Sequence, residues 1–215
     1  MILYLHGFGS SPDSYKARLM QQAMADRGLG DCWRCPPLPV SPAQAAELAL
    51  ALGRELLALP RLASLPAHRE PGPRALTVIG SSLGGYYAVW LAQRLGCKAV
   101  LLNPVVHAAR ELAQRVGEHR MYHSDAPFVF EPHYVDELAA LAVPPPADPQ
   151  RFLLLAATGD EVLDWRDMRD HYRDCRQIII EGCDHGLTGF ERWMPQVLAF
   201  AGIEAGSADA ARPPG

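Results

Sequence analysis

No stretch of this 215-residue sequence approaches the roughly 20 consecutive apolar residues of a membrane-spanning helix, so no span is expected. Positive charge is not in excess. The formal net charge is −4 and the isoelectric point about 6.0, which argues against nucleic acid or an anionic membrane surface as main partner. The opening Met1-Ile-Leu-Tyr-Leu-His-Gly7 lacks a charged leader and a small-residue cleavage site, so it reads as a strand and not as a signal peptide. Paired cysteines are missing too. The five present (Cys32, Cys35, Cys97, Cys175 and Cys183) are odd in number and scattered, which fits a reducing cytoplasm better than a disulfide framework. Cys32 and Cys35 form a C-x-x-C, but Pro36, Pro37 and Pro39 follow where a thioredoxin-type pair needs a helix. Cys175 and Cys183 do not supply the second half of a zinc site, so these thiols read as buried or half-buried. No internal repeat is found.

What is present is ordinary globular composition, 49% apolar and 20% charged, enough for a single α/β domain over residues 1–203. Residues 204–215 are small, polar and Pro-ended, and are expected to be disordered. Short apolar runs predict strands at 2–5, 76–79, 98–102, 151–157 and 176–181, with a less regular one at 32–34. Helical spacing predicts helices at 14–27 behind a Ser14 cap, at 43–59 behind Ser41-Pro42, and at 83–95, 165–173 and 190–201. Strands alternating with helices imply a mostly parallel sheet wrapped on both faces, with its ligand beyond the carboxyl ends of the strands. Residues 64–74 read as a Pro-rich, exposed linker. Residues 105–149 are too long for a simple connection and carry Pro127, Pro132, Pro144, Pro145 and Pro146. They are expected to form a small cap over the site, partly helical at 108–116 and 134–141.

Chemistry centres on Gly80-Ser81-Ser82-Leu83-Gly84, a G-x-S-x-G between the 76–79 strand and the 83–95 helix. A strand that turns at once into a helix forces its corner residue into strained backbone, and small neighbours are needed two positions either side. Ser82 is thereby held above the sheet at a helix N-terminus, which favours negative charge. A serine nucleophile needs a base. Among eight histidines, His185 lies in the loop leaving the last predicted strand, close to Gly182 and Gly186. The base in turn needs an acid to fix its tautomer and stabilise the imidazolium. Asp160, in Thr158-Gly-Asp-Glu-Val-Leu-Asp164, leaves the preceding strand, with Glu161 and Asp164 as rivals. Asp184 is too near His185 in sequence to reach its ring easily. The chain order Ser82, Asp160, His185 is that of an α/β-hydrolase. Oxyanion donors are expected from the backbone N–H of Leu83 and, in the first loop His6-Gly-Phe-Gly9, that of Phe8. His6 itself reads as a packed residue that shapes the loop.

Other features read as structural. His119 and His123 stand at i, i+4 spacing, but no further ligand has convincing spacing and no metal is expected. Arg110, Arg115 and Arg120 read as a solvated cap face, with a phosphate clamp as the competing reading. Phe8, Tyr86, Phe128, Phe130 and Trp165 are candidates to line an acyl pocket, each with ordinary core packing as its competing reading.

Taken together, Leu3-Tyr-Leu-His-Gly-Phe-Gly-Ser-Ser-Pro12 with Lys16, Gly80-Ser-Ser-Leu-Gly-Gly-Tyr-Tyr-Ala88, Leu102-Asn-Pro-Val105, the 158–164 segment, Gly182-Cys-Asp-His185 and Gly189-Phe-Glu191 resemble small bacterial α/β-hydrolase esterases of the YqiA/YcfP type. The resemblance covers about residues 1–203. It is looser at Gly9 and Gly186-Leu187, and the 66–73 insert and the tail are peculiar to this chain. It implies a serine esterase using Ser82, Asp160 and His185 on acyl esters and acyl thioesters, with no cofactor. An acyltransferase with the same triad, or a binding module that keeps only the fold, is the alternative. The expected partner is a small-molecule ester or thioester; oligomeric state is left open.

Overall fold

The structure is a computed structural model that describes residues 1–59 and 72–203. Six strands form one parallel sheet: β1 (Ile2–Leu5), β2 (Trp33–Arg34), β3 (Thr77–Ser81), β4 (Lys98–Leu102), β7 (Phe152–Ala157) and β8 (Arg176–Ile180). Their spatial order is β2-β1-β3-β4-β7-β8, and every neighbouring pair is parallel. Parallel strands covered on both faces must be apolar throughout rather than alternating. The runs that predicted them are apolar for that reason: β1, β3 and β7 are buried at every position.

The two faces carry separate cores. Alternate residues of β1 divide between them, Leu3 and Leu5 joining one and Ile2 and Tyr4 the other. On the first face lie α2 (Pro42–Ala58), α3 (Leu83–Leu95) and α6 (Trp165–His171). On the second lie α1 (Tyr15–Ala25) and α7 (Met194–Phe200). Ser41 caps α2, its hydroxyl accepting the Gln44 N–H, with Pro42 at the first helical position. Ser14 occupies the corresponding place on α1 but makes no capping bond with its side chain, which corrects the expected cap. The strand expected at 32–34 is only two residues long, with a 3-10 turn at Gly30–Cys32 before it.

Residues 105–149 hold more than helix. α4 (Ala108–Leu112) and α5 (Tyr134–Ala140) match the expected helical pieces, but between them β5 (Gly117–Arg120) and β6 (Pro127–Phe130) pair as an antiparallel hairpin. His119 is therefore in a strand, and the i, i+4 helical pairing with His123 does not exist. His119 Nε2 contacts the Arg115 carbonyl and His123 Nδ1 the Ser11 hydroxyl. The Arg expectation is met in part: Arg110 and Arg120 hold exposed ion pairs, to Glu111 and Asp167 and to Asp125. Linker residues 64–71 and the tail at 204–215 lie outside the described residues. Among the described residues, no helix is long and apolar enough to cross a membrane.

Three glycines set the corner at Ser82 by contact. A Cβ on Gly80 would lie 2.2 Å from the Gly84 carbonyl oxygen, and one on Gly84 would lie 1.9 Å from that of Leu5. A Cβ on Gly85 would lie 2.6 Å from the Pro104 Cβ. Backbone meets backbone at the first two positions, so no side chain can move aside. Gly84→Ala is expected to cost about 3 kcal/mol or more. Gly28→Ala, at a positive φ of 66° with no atom within 4 Å of the new methyl, should cost about 1–2 kcal/mol. Urea unfolding of the two variants checks the order; equal costs would mean that the elbow tolerates displacement.

Candidate active site

The sheet changes winding direction between β1 and β3, and in open α/β sheets the crevice at such a point receives ligand. Here the loop leaving β1 and the corner leaving β3 meet. A Cβ on Gly7 would sit 3.1 Å from the Ser82 Cβ, so the first loop lies directly against the serine. Ser82 has φ 55° and ψ −121°, a backbone conformation rare outside glycine and costing about 1–3 kcal/mol. It is held there by its neighbours: its N–H donates to the Leu102 carbonyl, and its own carbonyl accepts from Gly85 and Val105. Leu83 is the first residue of α3, so its N–H has no partner within the helix.

Asp160 follows β7 and His185 follows β8. The Asp160 side chain is fully buried while that of His185 is 20% exposed, and His185 Nδ1 lies 2.7 Å from Asp160 Oδ2. Oδ1 of Asp160 accepts the N–H groups of Val162 and Leu163, each at 2.9 Å. With both Asp160 oxygens acting as acceptors, the His185 proton is assigned to Nδ1, which leaves the Nε2 lone pair free. The rival acids are committed elsewhere. Glu161 accepts the His185 backbone N–H at 3.0 Å, Asp164 caps α6 through the Arg166 N–H, and Asp184 accepts both the N–H and hydroxyl of Thr188. Those Thr188 bonds also hold the Asp184 carboxyl below its ordinary pKa.

Ser82, His185, Phe8 and Leu83 all line one cavity of about 850 Å³ at the carboxyl ends of the strands. Ser82 and His185 face it without a hydrogen bond between them, a separation common before substrate closes such a site. His6 is buried and serves the loop: Nε2 accepts the Leu38 N–H at 3.2 Å and Nδ1 contacts the Gly7 carbonyl at 3.2 Å. Burial pushes its pKa down and keeps the ring neutral.

Of the aromatic residues expected to line the pocket, Phe8 faces this cavity and the other four do not. Tyr86 is buried with its hydroxyl donating to the Leu138 carbonyl, tying α3 to α5. Phe130 is wholly buried in the core, and Trp165 packs against the same core beneath Arg166 and Arg169. Phe128 lines only a small adjoining pocket, stacked on His119 and edge-on to Phe8. Aromatic character alone does not separate a pocket wall from a core. Beside Phe8 the cavity is lined by Leu83, Val105, Leu112, Leu163, Tyr15 and Tyr122 with many polar groups between.

Two further residues emerge only in three dimensions. Asn103 is fully buried at φ 42°. Its Oδ1 accepts the Ala157 N–H at 2.8 Å, and its Nδ2 donates to the carbonyls of Asp184 and His185. One side chain thus ties the end of β4 to the end of β7 and to the histidine loop. Lys16 is also buried, lines the cavity, and donates from Nζ to the Gly186 carbonyl at 2.7 Å. Burial pulls its pKa down to about 8, opposed by the carboxylates of Asp184 and Asp160. The sequence held a signal for it: Lys16 stands on the stripe of α1 that otherwise buries Ala17, Met20, Ala23 and Met24. All five cysteines are free, and burial pushes Cys35 up to about 12, which leaves it a poor nucleophile. Among the described residues, no group of three or more His, Cys, Asp or Glu side chains could hold a metal ion.

Asn103→Ala removes three hydrogen bonds and strands a buried N–H. A loss of about 2–3 kcal/mol in urea unfolding is expected, with faster amide exchange at residues 184–187 than elsewhere. Unchanged exchange there would show that the loop is held without Asn103.

A model of the uncharacterised protein family UPF0227 matches residues 1–202. Among solved structures, the chain is similar to a protein from Agrobacterium vitis S4 described as a hydrolase, with a TM-score of 0.67 and 18% identity over 93% of this chain and 87% of that one. It is also similar to a structure reported for the metagenome-derived lipolytic enzymes LipS and LipT, with a TM-score of 0.62 and 17% identity over 93% and 92% of the two chains. The esterase domain of a Rhodothermus marinus protein matches with a TM-score of 0.57 and 19% identity over 88% and 80%. At such identities the likeness shows the fold, that of the α/β-hydrolases.

Proposed function

Because the chain belongs to the UPF0227 family, of the YqiA/YcfP type, and has the α/β-hydrolase fold, we propose that it is a serine esterase acting on carboxylic esters or thioesters through an acyl-enzyme. One observation carries this reading. A positive-φ serine at a strand–helix corner opens on the same cavity as a histidine whose Nδ1 is 2.7 Å from a buried aspartate.

The chemistry follows from the assigned hydrogen bonds. Ser82 Oγ attacks the acyl carbonyl carbon while His185 Nε2 takes the hydroxyl proton. Asp160 accepts from Nδ1–H throughout and stabilises the imidazolium without taking its proton. The carbonyl oxygen becomes an oxyanion, stabilised by the N–H groups of Phe8 and Leu83; one such donor is commonly worth about 10²–10³ in rate. The bond to the leaving group breaks as His185 returns the proton to the departing alcohol or thiol. Water then attacks the Ser82 ester as His185 accepts its proton. His185 returns that proton to Ser82 Oγ as the bond to the acyl carbon breaks and the carboxylic acid is released. The steps fix acyl transfer to water and not the leaving group, so oxygen and sulfur esters both suit them.

A fluorophosphonate probe should label the wild-type protein stoichiometrically and leave Ser82→Ala unlabelled. Absence of label on the wild type, or equal label on both, would sink the reading. Asp160→Asn should leave the probe's site intact but lower kcat on 4-nitrophenyl acetate by about 10²–10⁴, with little change in KM. A kcat within twofold of wild type would remove Asp160 from the machinery.

A further inference from the structure

The first loop, residues 6–11, is held on two sides by different parts of the chain. One side is the Ser82 corner, which Gly7 meets directly. The other is the β5–β6 hairpin of the cap. His119 and Phe128 stand opposite each other in that hairpin, and Phe130 lies two residues beyond Phe128 on the same face. All three rings close on that of Phe8. His119 meets it edge-on with ring centroids 5.1 Å apart, and Phe128 and Phe130 each do so at 5.3 Å. Edge-to-face contact is a favoured geometry between aromatic rings, so the Phe8 ring has a well-defined seat. Phe130 is wholly buried and roots the hairpin in the core, whereas His119 and Phe128 are half-buried.

The backbone of the loop is fastened to the same hairpin. The Tyr122 N–H donates to the Gly9 carbonyl at 2.8 Å, and the Ser11 hydroxyl bonds His123 Nδ1 at 3.2 Å. Gly9 has φ 63°, and a Cβ there would lie 3.4 Å from Tyr122 Cε2 and 3.6 Å from Phe128 Cε1. His119 is itself fixed, stacked on Phe128 and bonded from Nε2 to the Arg115 carbonyl at 2.5 Å. None of His119, Phe128 and Phe130 lines the cavity, so none is placed to touch substrate there. The N–H of Phe8 makes no hydrogen bond among the described residues. Its direction is set by how the loop is held, because glycine on both sides gives the backbone little stiffness of its own.

We propose that the inner face of the hairpin, His119 with Phe128, positions the Phe8 oxyanion donor: by seating the Phe8 ring it aims the Phe8 N–H. His119 is thus a positioning residue that acts through Phe8. The donor must lie about 3 Å from an oxygen whose charge develops only in the transition state. A displacement of about 1 Å can cost about 10²-fold in rate, so loosening the seat lowers kcat and leaves KM. The inference rests on the esterase reading for the task of that N–H; the holding of the loop stands on the contacts themselves.

The test is a double-mutant cycle on hydrolysis of 4-nitrophenyl acetate, with His119→Ala, Phe8→Ala and the two combined. His119→Ala should lower kcat about tenfold or more with KM within about twofold of wild type. It should weaken inhibition by phenyl trifluoromethyl ketone, whose adduct with Ser82 carries the oxyanion, by a similar factor. Because His119 acts through the Phe8 ring, the double variant should be no slower than Phe8→Ala alone. His119→Phe, which keeps a ring against Phe8, should recover kcat to within about threefold of wild type. Phe128→Leu takes the place of His119→Ala in the cycle if the latter does not fold. Losses that multiply in the double variant overturn the proposal, as do a loss confined to KM, an unchanged kcat, or a His119→Phe no better than His119→Ala. If the wild type cleaves no ester, the esterase reading fails, and hydrogen exchange decides the clamp. The Ser10 amide, bonded to the Gly7 carbonyl, should then exchange about tenfold faster or more in His119→Ala, and an unchanged rate overturns the proposal.

Discussion

The arrangement depends on one contact between backbones, that of Gly84 at the start of α3 with the Leu5 carbonyl at the end of β1. With a Cβ at Gly84 only 1.9 Å from that oxygen, the helix is pressed against the neighbouring strand as closely as a polypeptide allows. Gly80 packs on Gly84 in the same way, so the chain cannot relax at either side of Ser82. The strained dihedral angles of the serine follow from this packing. So does the position of the first loop, because β1 and β3 are paired through Leu5 and Gly80. Gly7 therefore meets Ser82 side by side. Nucleophile and the Gly7 side of the candidate oxyanion loop are positioned by one steric fit.

The histidine side of the site is built by a different means. The loops after β7 and β8 touch at Gly159, where a Cβ would lie 2.9 Å from the Cys183 carbonyl oxygen, and hydrogen bonds complete their positioning. Asn103 supplies three of them across β4, β7 and the histidine loop, and Lys16 adds a fourth from the opposite face of the sheet. A buried side chain in such a network is costly to leave half-satisfied, which makes the loop's position nearly as determinate as that of the elbow. Ser82 and His185 are thus tied through one turn after β4, in which Leu102 and Val105 bond the Ser82 backbone and Asn103 bonds the histidine loop.

That difference explains what could be read from residues alone. Gly80, Ser82 and Gly84 are adjacent in sequence, and their spacing reports a local steric requirement. Asp160 and His185 were legible because each directly follows a strongly apolar strand, so the fold class places both at the same edge. The β5–β6 hairpin was not legible. Its strands are short and largely exposed, so no burial pattern marks them and Glu118-His119-Arg120 reads as readily as helix. Tyr86 and Phe130 were weighed as pocket walls because an aromatic residue carries no mark of which way it faces. Asn103 at a strand end reads as a turn, and its three partners are 54 to 82 residues distant.

Tyr4 and Lys16 show where pattern reading fails for a physical reason. Tyr4 sits at an apolar position of an all-buried strand, and its hydroxyl is invisible to periodicity. Lys16 belongs by spacing to the buried stripe of α1, a conflict between local chemistry and global fold that natural sequences tolerate chiefly where function requires it. Apolar residues at both places would remove an orphan hydroxyl and a buried charge, and packing alone would favour them. The fold therefore carries a standing energetic cost beside Ser82.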